Sequence, residues 1–502
     1  MARYVFHKPS RALSEYAVLQ GYIERCMKQG EVCISTPLTA YRNGNEPAIK
    51  LNRPFLSAAM QAITGPKMAI ALAQIGGMGV IYCSQPIEKE AEMIKEVKRY
   101  KGGFVVPDVF SPHTQIEKVI QHRIEKRYST FPITEDGMPN GKLVGLLTKN
   151  DFDDIKHRKM KVYERMLPVD KLYIVERREI NDDLKLADDL LRESHHGSLI
   201  IVDDGRLWSM VFKKDIMQHM DNPFELTDRN KRYMVGAAIN TRDYTERVPE
   251  LMKEEPDVLF VDTSHGYTDY VADAIKFVKE KYDIPVIGGN VVTRDAFNFL
   301  ARAGADGVKV GMGPGSICIT IEQIGVGCGQ GTAIEEVGHA RDRFYSKSGL
   351  YVPIISDGGV VVAKDVTVAL ALGADSVMMG RYFAGCNESN SPVTASRKYQ
   401  SKQVKLYWAE GSEKARSWME GRYNQADFPE GVVSEVDLTG SLKDYMKDAI
   451  FKIADGMRKA GCMSINDLHE KADLRVHSHL SIREAGYHDV DVVPEGDDFS
   501  KR

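Results

Sequence analysis

The chain carries no excess of either charge. It has 67 lysines and arginines against 71 aspartates and glutamates, a net charge of −4. That removes the electrostatic reason to expect nucleic acid as a main partner. Long apolar runs are missing too. The longest, Met68 to Cys83, is broken by Gln74 and by Gly76-Gly77. It falls short of the roughly 18 to 20 residues a membrane span needs. The opening MARYVFHKPS has no apolar signal core, so a cytoplasmic protein with no membrane contact is expected. Cysteine is sparse and odd in number, with seven residues at Cys26, Cys33, Cys83, Cys318, Cys328, Cys386 and Cys462 and no Cys-x-x-Cys. A disulfide framework is excluded on that pattern, and any special cysteine is a nucleophile before it is a staple. No His/Cys/Asp/Glu group has zinc spacing. No Gly-x-Gly-x-x-Gly follows a first strand, which speaks against an open dinucleotide-binding sheet.

What is present is a soluble composition, 43% hydrophobic and 27% charged over 502 residues. Short runs rich in Val and Ile recur, each followed by a helical pattern. They predict strands at Pro54–Ala58, Gly79–Tyr82, Tyr233–Ala237, Val258–Asp262, Pro285–Gly289, Gly307–Gly311, Pro353–Asp357 and Ser376–Gly380. Continuous apolar strands alternating with amphipathic helices indicate a parallel sheet buried on both faces. Eight such units are the number that closes a (β/α)8 TIM barrel, an α/β fold. The count requires an insertion after the second unit. Residues 103–224 fit it, because Ser129–Phe152 and Gly197–Ile216 repeat one pattern of strand, acidic-Gly turn, strand and helix start. The chain therefore divides into a first barrel part, 1–102, an inserted tandem module, 103–224, and a second barrel part, 225–502. Within the last, residues 384–440 are polar and hold Trp408 and Trp418, two of the three tryptophans, so a docking lid or flap is expected there.

In a closed barrel the C-terminal strand ends carry the site. Those ends here are Ser57, Asp262, Asn290, the loop Gly311–Thr320, Ser356–Gly359 and Gly380-Arg381. Gly358 and Gly359 allow backbone amides to approach an anion, and Arg381 adds a fixed cationic fork, so a phosphate is expected beside them. Asp357 has no cationic neighbour in sequence and suits a ribose diol. Gly311, Gly313, Pro314 and Gly315 build a stiff turn that presents Ser316 and Cys318. A thiol among clustered backbone N–H groups can act as a nucleophile. Cys386, just past the eighth strand, is the competing thiol, and His265 a weaker candidate base.

GMGPGSICIT, SDGG, the later Gly-Arg, VDTSHG and the inserted repeat together resemble the inosine 5′-monophosphate dehydrogenase family over nearly the whole chain, and the insert is similar to a CBS-domain pair. The resemblance implies oxidation of inosine 5′-monophosphate (IMP) by NAD+. In it the Cys318 thiolate attacks carbon 2 of the purine, and the adduct is hydrolysed after a flap closes. Carried over by position, Ser57, Met60, Ser316, Asp357, Gly359, Gly380, Arg381 and Tyr407 would hold the nucleotide, with Glu410 and Glu430 near base and flap. Asp262, Ser264, Asn290, Gly311 and Gly313 would face the cofactor. The flap's Arg-Tyr pair matches Arg422-Tyr423. Thr320 with Glu430 is the alternative route for activating water. A potassium ion would be bound by carbonyls of Gly313, Gly315 and Cys318 and by Glu484, Ala485 and Gly486 of another subunit, implying a homotetramer. Several positions depart from the family pattern. Ile321 stands where many relatives have arginine, Ala485 where glycine is frequent, and the stretch from Glu410 to Arg422 is about two residues longer than in short-flap relatives. In the insert, Thr148 and Asp151 fit a ribose-binding pattern for an adenine or guanine nucleotide, whereas Phe212 replaces the hydroxyl ahead of Asp215. GMP reductase shares the barrel and the cysteine loop but is expected to lack the insert and the long flap. A nucleotide sensor on an inactive barrel is the rival from another class.

Overall fold

A computed structural model describes residues 5–100, 104–105, 107–126, 128–180, 183–194, 197–213, 216, 222–398, 402–416, 429–486, 488 and 490. The eight expected strands all form. They are β1 (Phe55–Ser57), β2 (Met78–Ile81), β3 (Val235–Ile239), β4 (Val258–Val261), β5 (Val286–Val291), β6 (Gly307–Val310), β7 (Ile354–Asp357) and β8 (Ser376–Met379). They close into a barrel, β8 pairing with β1 and β2 with β3, every neighbour parallel. Helices follow the strands in turn, among them α1 (Pro66–Gln74), α2 (Ile87–Lys98), α3 (Tyr244–Met252), α4 (Asp269–Lys281) and α5 (Arg294–Ala303). Their starts are written locally: the Thr268 and Thr293 hydroxyls accept the amides of Val271 and Ala296 to cap α4 and α5. Side chains alternate along each strand. On β6, Val308 and Val310 pack outward under the helices, so Lys309 between them points into the barrel. Leu56, Val80, Phe260, Ile287, Ile355 and Met378 fill that interior. Among the described residues, no helix is long and apolar enough to cross a membrane.

The chain leaves the barrel after α2 and returns before β3. Its two ends are tied together where Tyr233 N–H donates to Tyr100 O at 3.0 Å, and where Lys98 Nζ meets Asp228 at 2.9 Å and Asp257 at 2.8 Å. Between them the expected repeat takes shape as two hairpins, Thr130–Thr134 with Leu143–Thr148 and Ser198–Asp203 with Arg206–Phe212. The hairpins meet reciprocally. Leu143 N–H donates to Gly205 O at 3.1 Å and Leu207 N–H to Gly141 O at 2.9 Å. Leu143, Ile200, Val202, Leu207 and Met210 share one core. In the first half Asp151 is turned back on Thr148, accepting from its amide at 2.6 Å and its hydroxyl at 2.7 Å. Asp215 lies outside the described residues.

The structure differs from expectation after β8. Residues 384–440 are not all lid. Val393–Ala395 (β9), Gln403–Trp408 (β10) and Val433–Asp437 (β11) form an antiparallel sheet with β10 central. Its strands are short, three to six residues, and lie within a polar, charged stretch, which hid them. Tyr407, Trp408 and Val436 are buried against the barrel core, so this stretch is built into the fold. Arg422, Tyr423 and Trp418 lie outside the described residues. Past the long helix Leu442–Lys459 (α6) and Ile465–Lys471, a strand, Leu474–Val476, pairs antiparallel with Tyr16–Val18, and a short helix, His479–Glu484, follows.

Candidate active site

The strand ends of β4 to β7 converge on one buried cation. Lys309 is 1% exposed, and its ammonium contacts Asp262 and, at 3.2 Å, Asp357. Burial works against its charge, but the two carboxylates outweigh burial and hold the amine above the ordinary lysine value. Asp357, with no cationic neighbour in sequence, has one in space, because Lys309 lies one barrel strand away. Asn290 joins the group, its Nδ2 donating to Asp357 and to Gly311 O, each at 2.9 Å. Asn290 Oδ1 is buried without a partner, an unsatisfied acceptor within the group. Gly311 is required where it stands. With φ +147°, a Cβ there would lie 2.2 Å from Asp357 O.

The loop after β6 carries the thiol. Gly313 has φ +94° and Gly358 φ +90°. A Cβ on Gly358 would sit 3.3 Å from Pro314 Cγ, so the two glycine turns pack against each other. Cys318 Sγ is 3.2 Å from Thr320 Oγ1, which donates to Glu430 Oε2 at 3.1 Å. A hydroxyl has one proton to give. Having given it to Glu430, Thr320 is left to accept from the thiol. The row thiol–hydroxyl–carboxylate is therefore oriented to draw a proton off sulfur. Backbone bonds fix it: Ile319 N–H donates to Glu430 O at 3.0 Å and Val432 N–H to Ile317 O at 3.1 Å. The competing thiol has no such setting. Cys386 is 0% exposed; burial pushes it up to about 11, although the Thr439 hydroxyl donates to it. His265 is exposed on its loop.

A third wall comes from β1, β8 and β10. A Cβ on Gly380 would lie 2.7 Å from the Tyr407 hydroxyl and 3.2 Å from Met60 Sδ, so these three residues do meet. Ser57 is buried and accepts from the Thr64 hydroxyl at 2.7 Å. Ser316 and Arg381 are exposed, and Gly359, φ +79°, packs beside Gln330 and Leu13. Glu410 is set behind Met60. Burial raises its carboxyl to about 7, against a hydrogen bond from the Gln61 amide that favours the anion, with Asp262 adding to the rise. Gln61 is locked in turn, donating to Ser84 O at 2.9 Å and accepting from Trp408 Nε1 at 3.1 Å.

The remaining predicted residues do not assemble within one chain. Ser264 is exposed beyond Asp262. Ala485 lines a cleft with Tyr16, Val361 and Tyr445. It is right-handed, φ −71°, so alanine in place of glycine costs no backbone strain there. Sequence reading missed Lys309 and Gln61. A lysine inside an otherwise apolar strand was the available signal for the first.

Residues 14–488 match the IMP dehydrogenase / GMP reductase domain. The inosine-5′-monophosphate dehydrogenase of Tritrichomonas foetus is 39% identical over 99% of both chains. That of Escherichia coli K12 is 34% identical over 90% of this chain and 92% of its own. Among solved structures, a GMP reductase from Trypanosoma brucei in complex with guanosine 5′-monophosphate is 26% identical with a TM-score of 0.74. It covers 96% of this chain and 98% of that one. The expectation that a reductase lacks the insert fails on that last comparison, because the 4% left uncovered is far shorter than residues 103–224.

Proposed function

From the premise that the chain belongs to the IMP dehydrogenase / GMP reductase family of oxidoreductases, we propose that it oxidises IMP to xanthosine 5′-monophosphate with NAD+, the committed step toward guanine nucleotides. The observation that carries this reading is the Cys318–Thr320–Glu430 row at the mouth of the barrel. A hydride cannot leave an sp² ring carbon until that carbon becomes tetrahedral, and a thiolate supplies the fourth bond. Thr320 and Glu430 take the thiol proton as sulfur adds to carbon 2. Loss of hydride leaves a thioimidate on Cys318. Water then adds to carbon 2, the sulfur departs as thiolate, and one proton is released. Arg422 and Tyr423, from the flap, are proposed to activate that water.

The dinucleotide supplies a hydride acceptor when bound. Asp262, Ser264, Asn290, Gly311 and Gly313 would hold it, and the unpartnered Asn290 Oδ1 fits a polar ligand. Asp357 takes the nucleotide's ribose, with Lys309 fixing its carboxylate. Gly359, Gly380, Arg381 and Ser316 face the phosphate, and Ser57, Met60 and Tyr407 the sugar and base. A potassium ion between the Gly313, Gly315 and Cys318 carbonyls and residues Glu484, Ala485 and Gly486 of a second copy would require the tetramer. A nucleotide on the insert is proposed for the half bearing Thr148 and Asp151.

The deciding experiment mixes the purified chain with IMP, NAD+ and potassium and follows NADH. Formation of NADH and xanthosine monophosphate is expected. Silence, with conversion of guanosine monophosphate and NADPH instead, would transfer the chain to the reductase reaction, and silence in both with tight ATP binding to the sensor.

Glu410 gives a pH test. The purine N1–H needs an acceptor, which only the ionised carboxyl offers fully. Affinity for IMP should therefore rise as pH climbs toward about 7, where Glu410 titrates, by up to about tenfold per unit, and then level off. Glu410→Gln should flatten the profile measured by equilibrium dialysis. An unchanged profile would free Glu410 of this role.

A further inference from the structure

One charged side chain near the site lies outside the chemistry above. Lys405, on β10, is 2% exposed. Its ammonium donates to Cys386 O at 2.8 Å, Asn387 O at 3.0 Å, Ser389 O at 2.9 Å and Ser389 Oγ at 2.9 Å. These acceptors are three carbonyls and a hydroxyl, and none is a carboxylate. A neutral amine would turn a lone pair on one of them, whereas an ammonium has three protons for the cluster. Burial opposes the charge and pulls the amine below the usual lysine value. The converging carbonyl dipoles answer that opposition, as they do for a bound monovalent cation.

The cage joins three parts of the active-site wall. The turn it holds follows directly on Arg381, with Ala384 N–H donating to Arg381 O at 3.3 Å. The next residue, Asn390, reaches the loop after β1, its amide donating to Ile63 O at 3.1 Å and its Nδ2 to Gln61 O at 2.8 Å. Two positions along β10, on the same face as Lys405, stands Tyr407, whose hydroxyl crowds Gly380. We propose that Lys405 is a positioning residue, an ammonium built into the chain that locks the turn after β8 and the loop after β1 onto the strand bearing Tyr407, and so sets the pocket for the nucleotide's phosphate and base. This rests on the reading that IMP occupies the pocket.

Lys405→Ala removes a piece shaped like n-propylammonium and leaves four oxygens facing one another. In equilibrium dialysis the variant should bind IMP at least about tenfold more weakly than the parent chain, because small displacements of a positioning wall are costly. n-Propylammonium should restore binding, and tetramethylammonium at equal ionic strength should not, since it has no proton to donate. Lys405→Met, which fills the space without charge, should bind weakly and gain nothing from either ion. Parent-like binding by Lys405→Ala, or equal effects of the two ions, would overturn the proposal. Where Lys405→Ala is unstable, the same contrast is read as folded yield, and equal yields with the two ions count against the cage. Failure of the parent chain to retain IMP would instead remove the reading of the pocket, which keeps the two failures apart.

Discussion

Replacing Cys318 by serine is expected to lower NADH formation from IMP and NAD+ at least about 10⁴-fold, with IMP binding almost unchanged. The large factor follows from the row in which the sulfur sits. Thr320 and Glu430 are arranged to accept one proton from a thiol, and an alcohol holds its proton far more tightly than a thiol does. With oxygen in place of sulfur the row persists but carbon 2 stays planar, and no hydride can leave. Binding should survive because the residues proposed to hold the nucleotide, Asp357, Tyr407 and Glu410, stand on other walls. Mass spectrometry of the parent chain quenched during turnover gives the complementary result, a purine adduct on the peptide bearing Cys318. An adduct on Cys386 would overturn the assignment, and so would unchanged product formation by Cys318→Ser. The burial of Cys386 beneath the sheet of β9 to β11 is the reason to expect neither.

The barrel was legible because its strands are buried on both faces, so eight apolar runs stand out from amphipathic helices. The two hairpins between α2 and β3 were legible through their repeated pattern alone. The sheet of β9 to β11 was not, since strands of three to six residues leave too little pattern to read in a charged stretch. The site divides in the same way. Cys318, Asp357 and the paired glycines are marked by local sequence, the glycines because φ values near +80° to +90° at 358 and 359 admit little else. Lys309 and Gln61 act through partners brought near only by closure of the barrel, and nothing beside them in sequence reveals the pairing. The choice between Cys318 and Cys386 likewise needed three dimensions. Each follows a barrel strand, and only packing shows one thiol at the mouth and the other sealed.

Arg422→Ala is expected to spare the first turnover and to slow steady-state turnover about 10²- to 10⁴-fold, the range that loss of a general base commonly produces. The reasoning rests on where each group stands in the sequence of events. Thr320 touches the sulfur, so it serves the step in which the thiol proton leaves. A residue proposed to arrive with a flap would act only after NADH has departed. A rapid burst of one NADH per site should therefore persist in Arg422→Ala, followed by near silence as the thioimidate accumulates. Thr320→Val should show the opposite emphasis, a slowed burst, because the link from sulfur to Glu430 is cut. Arginine is an awkward base, protonated at any ordinary pH, and it can serve only when its neutral form is transiently reached in a buried setting. Glu430 is the group that can take over. Residual turnover of Arg422→Ala should therefore fall further on adding Glu430→Gln, and stopped-flow traces beside steady-state rates separate the cases. Equal loss of burst and steady phases in Arg422→Ala would remove the flap arginine from hydrolysis and leave Thr320 and Glu430 to activate both the thiol and the water.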